Sequence, residues 1–437
     1  MNGLAWISSP VSVPLQGDIT VPGDKSISHR AIMLAALADG TSRIDGFLDG
    51  EDTRATAYIF ADLGVRIDSA SPSQRIVHGV GLHGLREPAG SLDCGNAGTG
   101  MRLLCGVLAG QAFASTLVGD ESLSRRPMRR VIEPLTAMGA RIDAREGGLP
   151  PLRIAAAEGL RGVSYATPVA SAQVKSAILL AGLYADGETE VREPHPTRDY
   201  TERMLAAFGW PIAFEPGRAR LSGGHRLRAT DVVVPADFSS AAFFMVAASI
   251  VPGSRLLLRA VGLNPRRTGL LHALRLMGAD IREHAPRTQG GERVADLEVR
   301  HAPLHGIDVP ADLVPDMIDE FPALFIAAAV ADGATRVRGA AELRVKESDR
   351  IAVMAEGLRA LGIAVDEAPD GATIHGGLLQ GGAVDSRGDH RVAMAFAVAG
   401  LVARAPVRIA DCANVGTSFP GFAATARALG FRLAEDT

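Results

Sequence analysis

One short pattern recurs six times along the 437 residues and restricts what the chain can fold into: an aliphatic segment ending in Leu-x-x-hydrophobic-Gly or a close variant, followed by a short β-like run. It reads Ala61-Asp-Leu-Gly64-Val-Arg-Ile, Leu135-Thr-Ala-Met-Gly139-Ala-Arg-Ile and Leu205-Ala-Ala-Phe-Gly209 in the first half. In the second half it reads Leu274-Arg-Leu-Met-Gly278-Ala-Asp-Ile, Leu358-Arg-Ala-Leu-Gly362-Ile-Ala-Val and Arg427-Ala-Leu-Gly430-Phe-Arg-Leu. The glycines are 75, 70, 69, 84 and 68 residues apart. Glycine at the end of an apolar helical run marks a helix C-terminus, because it reaches the left-handed conformation cheaply. A repeat of this length is a supersecondary unit that needs its neighbours to bury its apolar face.

Each unit also carries an earlier helix rich in alanine and aliphatics, expected near 26–38, 99–110, 172–185, 239–250, 321–331 and 389–403. Several run into a turn and a strand, as in Ala38-Asp-Gly-Thr-Ser-Arg-Ile and Ala331-Asp-Gly-Ala-Thr-Arg-Val. Helix and strand alternate, so the fold class is α/β with helices packed on sheets. Three units per half suggest two domains, with a crossing near Asp231-Val-Val-Val-Pro-Ala-Asp237. Residues 4–21 read as one short opening strand that could pair with either half.

Composition narrows the function. There are 45 Lys and Arg against 49 Asp and Glu, for a formal charge of -4, without the basic excess of a general nucleic-acid binder. The residues from Met1 to Gln16 lack the basic and apolar regions of a secretory leader, and no apolar stretch is long enough to span a bilayer. A cytoplasmic protein with no membrane or nucleic-acid partner is expected. Cys94, Cys105 and Cys412 form neither an even set nor a metal-binding pair, and read as buried small hydrophobes in a reducing compartment.

The chemistry gathers at helix starts. The first helices open with Gly23-Asp-Lys25-Ser26-Ile-Ser28-His29-Arg30, Gly95-Asn96-Ala-Gly98-Thr99-Gly100-Met-Arg102 and Ser171-Ala172-Gln173-Val-Lys175. Later units open with Asp237-Phe-Ser239-Ser240, Ile318-Asp319-Glu320 and Gly388-Asp389-His390-Arg391. Second helices are preceded or opened by Arg125-Arg126-Pro127, Arg198-Asp199-Tyr200 and Lys346-Glu347-Ser348-Asp349-Arg350. Ser, Asp and Asn account for helix capping, and Asp319 and Glu320 could be caps. Capping does not account for the recurring Lys and Arg. Free N–H groups and the helix dipole favour anions at these ends, and recurrence across units points to an anion site. His29 and His390 are expected to cap or pack. Gly79-Val-Gly81-Leu-His-Gly84 imitates a dinucleotide fingerprint but is not followed by a helical pattern. Gly23-Asp-Lys25-Ser26 ends like a P-loop but lacks its first glycine. No metal motif and no serine-hydrolase elbow is present.

At these residues the chain resembles the 5-enolpyruvylshikimate-3-phosphate synthases, enolpyruvyl transferases also called 3-phosphoshikimate 1-carboxyvinyltransferases. The segments that carry the likeness are Pro22-Gly-Asp-Lys-Ser-Ile-Ser-His-Arg30, Gly95-Asn-Ala-Gly-Thr-Gly-Met-Arg102, Ser171-Ala-Gln-Val-Lys175, Arg344-Val-Lys-Glu-Ser-Asp-Arg350 and Asp389-His-Arg-Val-Ala-Met394. The resemblance implies an inside-out α/β barrel in two domains of three βαβαββ units each, 23–235 and a discontinuous 1–22 with 236–437, with the active site in the cleft between them. It implies transfer of the enolpyruvyl group of phosphoenolpyruvate to the 5-hydroxyl of shikimate 3-phosphate, without metal or organic cofactor; a monomer is expected, although the sequence itself does not give the oligomeric state. Shikimate 3-phosphate would contact Lys25, Ser26, Arg30, Ser171, Ala172, Gln173, Arg198, Asp319 and Lys346. Phosphoenolpyruvate would contact Lys25, Gly98, Arg126, Gln173, Arg350 and Arg391. Asp319 would be the base toward the hydroxyl, with Lys346 holding it ionised or stabilising the alkoxide. Glu347 and Lys25 would be the candidates for proton transfer at carbon and at the leaving phosphate.

The chain departs from the family in places. Ala172 stands where many members have a second serine, Glu342 where some have asparagine, and Thr417-Ser-Phe-Pro where many have Lys-Thr-Phe-Pro. Gly98 lacks the methyl that crowds glyphosate in tolerant forms, although other segments resemble the tolerant subgroup; sensitivity or an intermediate response is expected. The rival transferase acting on UDP-N-acetylglucosamine uses Lys-Asn at its first helix and a cysteine in a mobile loop; here Lys25-Ser26 stands in that place. A catalytically dead phosphometabolite binder would not need Asp319, Glu347 and Lys25 together.

Overall fold

The structure, a computed structural model, describes residues 4–436. The chain forms two compact units, one of residues 23–235 with 289–292, the other of 4–22, 236–288 and 293–436. They are called here the insert unit and the split unit. Twelve α-helices appear among the described residues. The insert unit holds α1 (Lys25–Leu37), α2 (Glu51–Asp62), α3 (Gly98–Leu108), α4 (Arg129–Ala137), α5 (Ala172–Gly182) and α6 (Tyr200–Ala207). The split unit holds α7 (Phe238–Ile250), α8 (Gly269–Leu276), α9 (Phe321–Ala329), α10 (Arg350–Ala360), α11 (His390–Ala399) and α12 (Phe422–Ala428).

The odd-numbered helices are rich in alanine or larger aliphatic residues, and they lie inside. Every residue of α7, α9 and α11 is buried, as is nearly all of α1 and α5. A helix apolar on all sides has no face for water and must be enclosed by other elements. In the insert unit α3 packs along α5 and also meets α1; in the split unit α7, α9 and α11 pack on one another. Helices therefore line each interior and sheets lie outside, the inside-out α/β arrangement.

Three sheets of the insert unit share one topology. A short edge strand runs parallel to its neighbour, and two antiparallel strands follow. The orders are Leu227–Arg228, Ala38–Asp45, Gln74–Val80, Arg66–Ser71; then Leu92–Asp93, Ser115–Val118, Leu149–Ile154, Ile142–Arg145; then Ser164–Ala166, Glu188–Arg192, Arg218–Ser222, Ile212–Glu215. The first sheet takes its edge strand from the far end of the unit, which closes the set.

The split unit follows the same plan with borrowed strands. Residues 4–21 are two strands rather than the single one expected: β1 (Ala5–Ser9) and β2 (Gln16–Ile19). Pro10 and Pro14 fall between them, and a proline has no N–H to give to a ladder. β1 lies between Val407–Ala410 and Arg432–Asp436, antiparallel to both, with Trp6 opposite Ile409 and Glu435. β2 runs parallel to Arg255–Gly262. Trp6 stacks on Phe422 at 5.5 Å, within a core that also holds Phe243, Phe244, Phe419 and Phe431.

The glycines that end the second helices do what the pattern requires. Gly64, Gly139, Gly209, Gly278, Gly362 and Gly430 all have φ between 79° and 103°. That region strains any residue with a Cβ. The expected first helices are present, with α5 and α11 stopping a few residues early at Gly182 and before Gly400.

Candidate active site

In the insert unit the starts of α1, α3 and α5 carry the basic and hydroxyl residues. Asp24 caps α1 by accepting from the Ile27 N–H at 2.9 Å. This leaves the next residue, Lys25, to reach across to Asp52 in the first turn of α2, with Nζ 2.8 Å from Oδ2. Ser26 is half-buried, and its carbonyl accepts from Arg30 Nη1 at 2.8 Å. Arg30 is buried. Its Nε donates to Thr201 Oγ1 at 2.7 Å and its Nη2 to Ser176 Oγ at 2.8 Å. Burial, then the neighbouring Arg198, pushes its pKa down to about 10, opposed by Glu202 and Asp24, so it stays cationic at neutral pH.

Gly98 opens α3, beside two guanidinium groups that an added methyl would push aside by a few tenths of an ångström. A Cβ on it would stand 3.2 Å from Arg102 Nη1 and 3.3 Å from Arg126 Nη1. Arg126 Nη2 donates to Asn96 Oδ1 at 3.0 Å and to Ser122 Oγ at 3.2 Å, and Asn96 is in turn held by Asp120. Gln173, in the first turn of α5, accepts from Arg102 Nη1 at 2.7 Å and donates to Thr99 Oγ1 at 2.8 Å. Ser171 caps α5, its Oγ accepting from the Val174 N–H at 3.4 Å, which leaves the hydroxyl proton for another acceptor; Ala172 follows as the first helical residue. Lys25, Ser26, Arg30, Gly98, Arg126, Ser171, Ala172, Gln173 and Arg198 thus all belong to this unit, and Arg102 links Gly98 to Gln173 by donating to the carbonyl of the first and the side-chain amide of the second.

In the split unit the centre is Asp319. Its Oδ1 is 3.5 Å from Arg350 Nη1 and 3.8 Å from Lys346 Nζ, and its Oδ2 is 3.5 Å from Arg267 Nη1. Arg391 donates from Nη1 to the Asp319 carbonyl at 3.2 Å. Glu320 stands at the N-cap of α9 but makes no side-chain capping hydrogen bond, contrary to the capping role considered for it; its carboxylate lies near Arg267 instead. Arg350 is 1% exposed. Its Nε donates to Asp389 Oδ2 at 2.8 Å and its Nη2 to Glu347 Oε2 at 2.6 Å, while Nη1 is buried without a hydrogen bond. Asp389 also caps α11, accepting from the Arg391 N–H at 2.9 Å. Burial pushes the Asp389 carboxyl up, but Arg350 overrides it and holds it below the usual carboxylate range. Glu320 goes the other way, because burial outweighs Arg267 beside it.

His29 and His390 are both buried, as expected of packing residues. All three cysteines are free and buried; burial pushes Cys105 and Cys412 up to about 12 and Cys94 well above its ordinary value, so none resembles an activated thiolate. Among the described residues no cluster of His, Cys, Asp and Glu is placed to hold a metal, and no helix is long and apolar enough to cross a membrane.

Arg267 and Asp52 are the residues that reading the sequence missed. Arg267 Nη2 donates to Asp237 Oδ1 at 3.0 Å and to Ser239 Oγ at 2.6 Å, in addition to facing Asp319. The signal was available: Arg266-Arg267 lies just ahead of the α8 N-cap Thr268, as Arg125-Arg126 lies ahead of α4. Asp52 has no such signature, since an acidic first turn is ordinary for a helix.

Two clusters of arginine and lysine, each at helix starts and each with paired carboxylates, define a protein that handles small, multiply charged anions by acid–base chemistry. The chain belongs to the EPSP synthase (3-phosphoshikimate 1-carboxyvinyltransferase) family, whose model matches residues 11–425. It is 70% identical over 98% of both chains to the 3-phosphoshikimate 1-carboxyvinyltransferase of Xanthomonas campestris pv. campestris strain B100. It is 69% identical to that of Xanthomonas oryzae pv. oryzae strain PXO99A, over 98% of this chain and 97% of the relative. Among solved structures, the EPSP synthase of Acinetobacter baumannii is similar with a TM-score of 0.91 at 49% identity, covering 99% of this chain and 100% of that one.

Proposed function

We propose that the chain carries out its family's activity, 3-phosphoshikimate 1-carboxyvinyl transfer in the shikimate pathway, as a monomeric cytoplasmic enzyme that requires both cationic clusters. The observation that carries this reading is Asp319, a carboxylate within 4 Å of Lys346, Arg350 and Arg267. Two phosphates and two carboxylates bring together about six negative charges, which need close-range cations. Guanidinium forks suit both groups.

In this reading Lys25, Ser26, Arg30, Ser171, Gln173, Arg198 and Lys346 hold shikimate 3-phosphate, with Ala172 offering only its backbone. Lys25, Arg126, Gln173, Arg350 and Arg391 hold phosphoenolpyruvate, with Gly98 leaving room. Asp319 accepts the proton of the 5-hydroxyl as its oxygen bonds to C2 of phosphoenolpyruvate, and Lys346 stabilises the developing alkoxide. A proton is delivered to the methylene carbon, giving a tetrahedral intermediate with a methyl group. Loss of a methyl proton then restores the double bond while the C2–O bond to phosphate breaks and phosphate leaves. Glu347 and Lys25 are the candidate proton carriers for these steps, because transfer at carbon needs a group poised beside the reacting atoms.

Phosphate release from the two substrates tests the reading. Arg126→Ala should raise KM for phosphoenolpyruvate far more than it lowers kcat. Asp319→Asn should lower kcat by about 100-fold or more while substrates still bind. Wild-type-like kinetics in both variants would remove the assignment. The lack of a methyl at Gly98, where a Cβ would crowd Arg126 Nη1 at 3.3 Å, also supports sensitivity to glyphosate. An inhibition constant far above the KM for phosphoenolpyruvate would overturn that expectation.

A further inference from the structure

Lys175 sits on α5 one turn beyond Ser171, on a side chain only 3% exposed. Its ammonium has three protons and three acceptors: Glu193 Oε2 at 2.8 Å, Glu202 Oε1 at 2.8 Å and the Thr197 carbonyl at 3.5 Å. Both glutamates are as buried as the lysine. Glu193 also accepts from Thr197 Oγ1 and, at 3.3 Å, from the Thr197 N–H, so it folds the 193–197 segment onto itself. Arg198 follows directly. Glu202 lies on α6 and its charge acts on Arg30, whose guanidinium is held by Thr201 and by Ser176, the residues next to Glu202 and Lys175. One buried cation therefore joins three pieces: the α5 start with Ser171 and Gln173, the segment that ends in Arg198, and the helix that orients Arg30.

Stability alone is a poor reason for such a group. Replacing a buried ion cluster by apolar residues is often neutral or stabilising. A fixed geometry is a better reason, since all three donors of Lys175 are used, each by a different residue.

We propose that Lys175 is a positioning residue for shikimate 3-phosphate: through Glu193 and Glu202 it fixes Arg198 and Arg30 relative to Ser171 and Gln173. This rests on the functional reading above. The dependence on substrate is the discriminating feature, because the partners of Lys175, namely Glu193, Thr197 and Glu202, adjoin Arg198 and Arg30, which are assigned to shikimate 3-phosphate and not to phosphoenolpyruvate.

The test is the triple variant Lys175→Met, Glu193→Gln, Glu202→Gln, which removes the charges with little change in volume, together with Thr197→Val, which removes only the hydroxyl bonded to Glu193. Steady-state phosphate release is measured with each substrate varied at saturation of the other, alongside thermal unfolding. A wild-type enzyme without turnover would refute the functional reading rather than this inference. With an active wild type, the triple variant should raise KM for shikimate 3-phosphate about tenfold, with kcat and the KM for phosphoenolpyruvate within about threefold, since small misplacements of binding groups cost this much. Thr197→Val should move the same parameter in the same direction by a smaller factor, which reads the link even if the triple variant does not fold. Unchanged KM for shikimate 3-phosphate in Thr197→Val, or an equal rise in both KM values in the triple variant, would overturn the proposal, whatever happens to the melting temperature.

Discussion

At the scale of single residues, burial decides who can move a proton. His29 is enclosed, its Nδ1 2.7 Å from Thr56 Oγ1 and its Nε2 without a partner. Burial, then Lys25 and Arg30, pushes its pKa down to about 3. It is neutral in the folded enzyme throughout the working range, so it shuttles no proton there. The unfolded chain takes up that proton near the ordinary value of 6.5. The stability contribution is therefore complete above pH 6.5 and is lost as pH falls toward 3, at up to about 1.4 kcal/mol per pH unit. A His29→Gln variant should lose less stability than the wild type between pH 6.5 and 4.5 in urea unfolding. Parallel losses in the two proteins would show that His29 is not the titrating group. The adjacent basic residues were legible because helix starts recur in the sequence. Arg267 with Asp237, and Lys25 with Asp52, were not, because each pairing joins side chains from different helix starts and is fixed only when the helices pack.

At the scale of elements, the six glycine stops and the six inner helices rich in alanine or aliphatics were legible from periodicity and punctuation, because both are local requirements. Which face each helix buries was not readable, since α7 and α9 have no polar stripe to reveal it. The split of residues 4–21 into β1 and β2 was signalled by Pro10 and Pro14 but depends on two different partner sheets. The α3–α5 contact shows how tightly such helices approach. A Cβ on Gly106 would lie 2.2 Å from the Ala177 carbonyl oxygen, and backbone cannot step aside as a side chain can. Gly106→Ala should cost about 1–3 kcal/mol despite the better helix propensity of alanine. Gly90→Ala, where a Cβ meets nothing within 4 Å, serves as the control. Equal denaturation midpoints for the two variants would mean that the helices can separate at little cost.

At the scale of the whole molecule, the chain leaves the split unit after Pro22, builds the insert unit, and returns at Ala236. β1 is an internal strand of its sheet, bonded on both sides. Removing residues 1–10 would leave Val407–Ala410 and Arg432–Asp436 with unpaired edges and Phe422 without Trp6. The truncated protein should lose the cooperative unfolding of the split unit and aggregate on heating, as followed by calorimetry and light scattering. A full-height transition at the wild-type temperature would show that the strand is dispensable. The same strand sets an order of events at the ribosome. Its partner Arg432–Asp436 is translated more than 400 residues after it, a delay on the order of half a minute at ordinary elongation rates. Until then the nascent chain carries an apolar segment with nowhere to dock, while the intervening contiguous lobe is already out and free to condense. A chaperone that shields the first residues during that interval would serve this topology better than one acting after release.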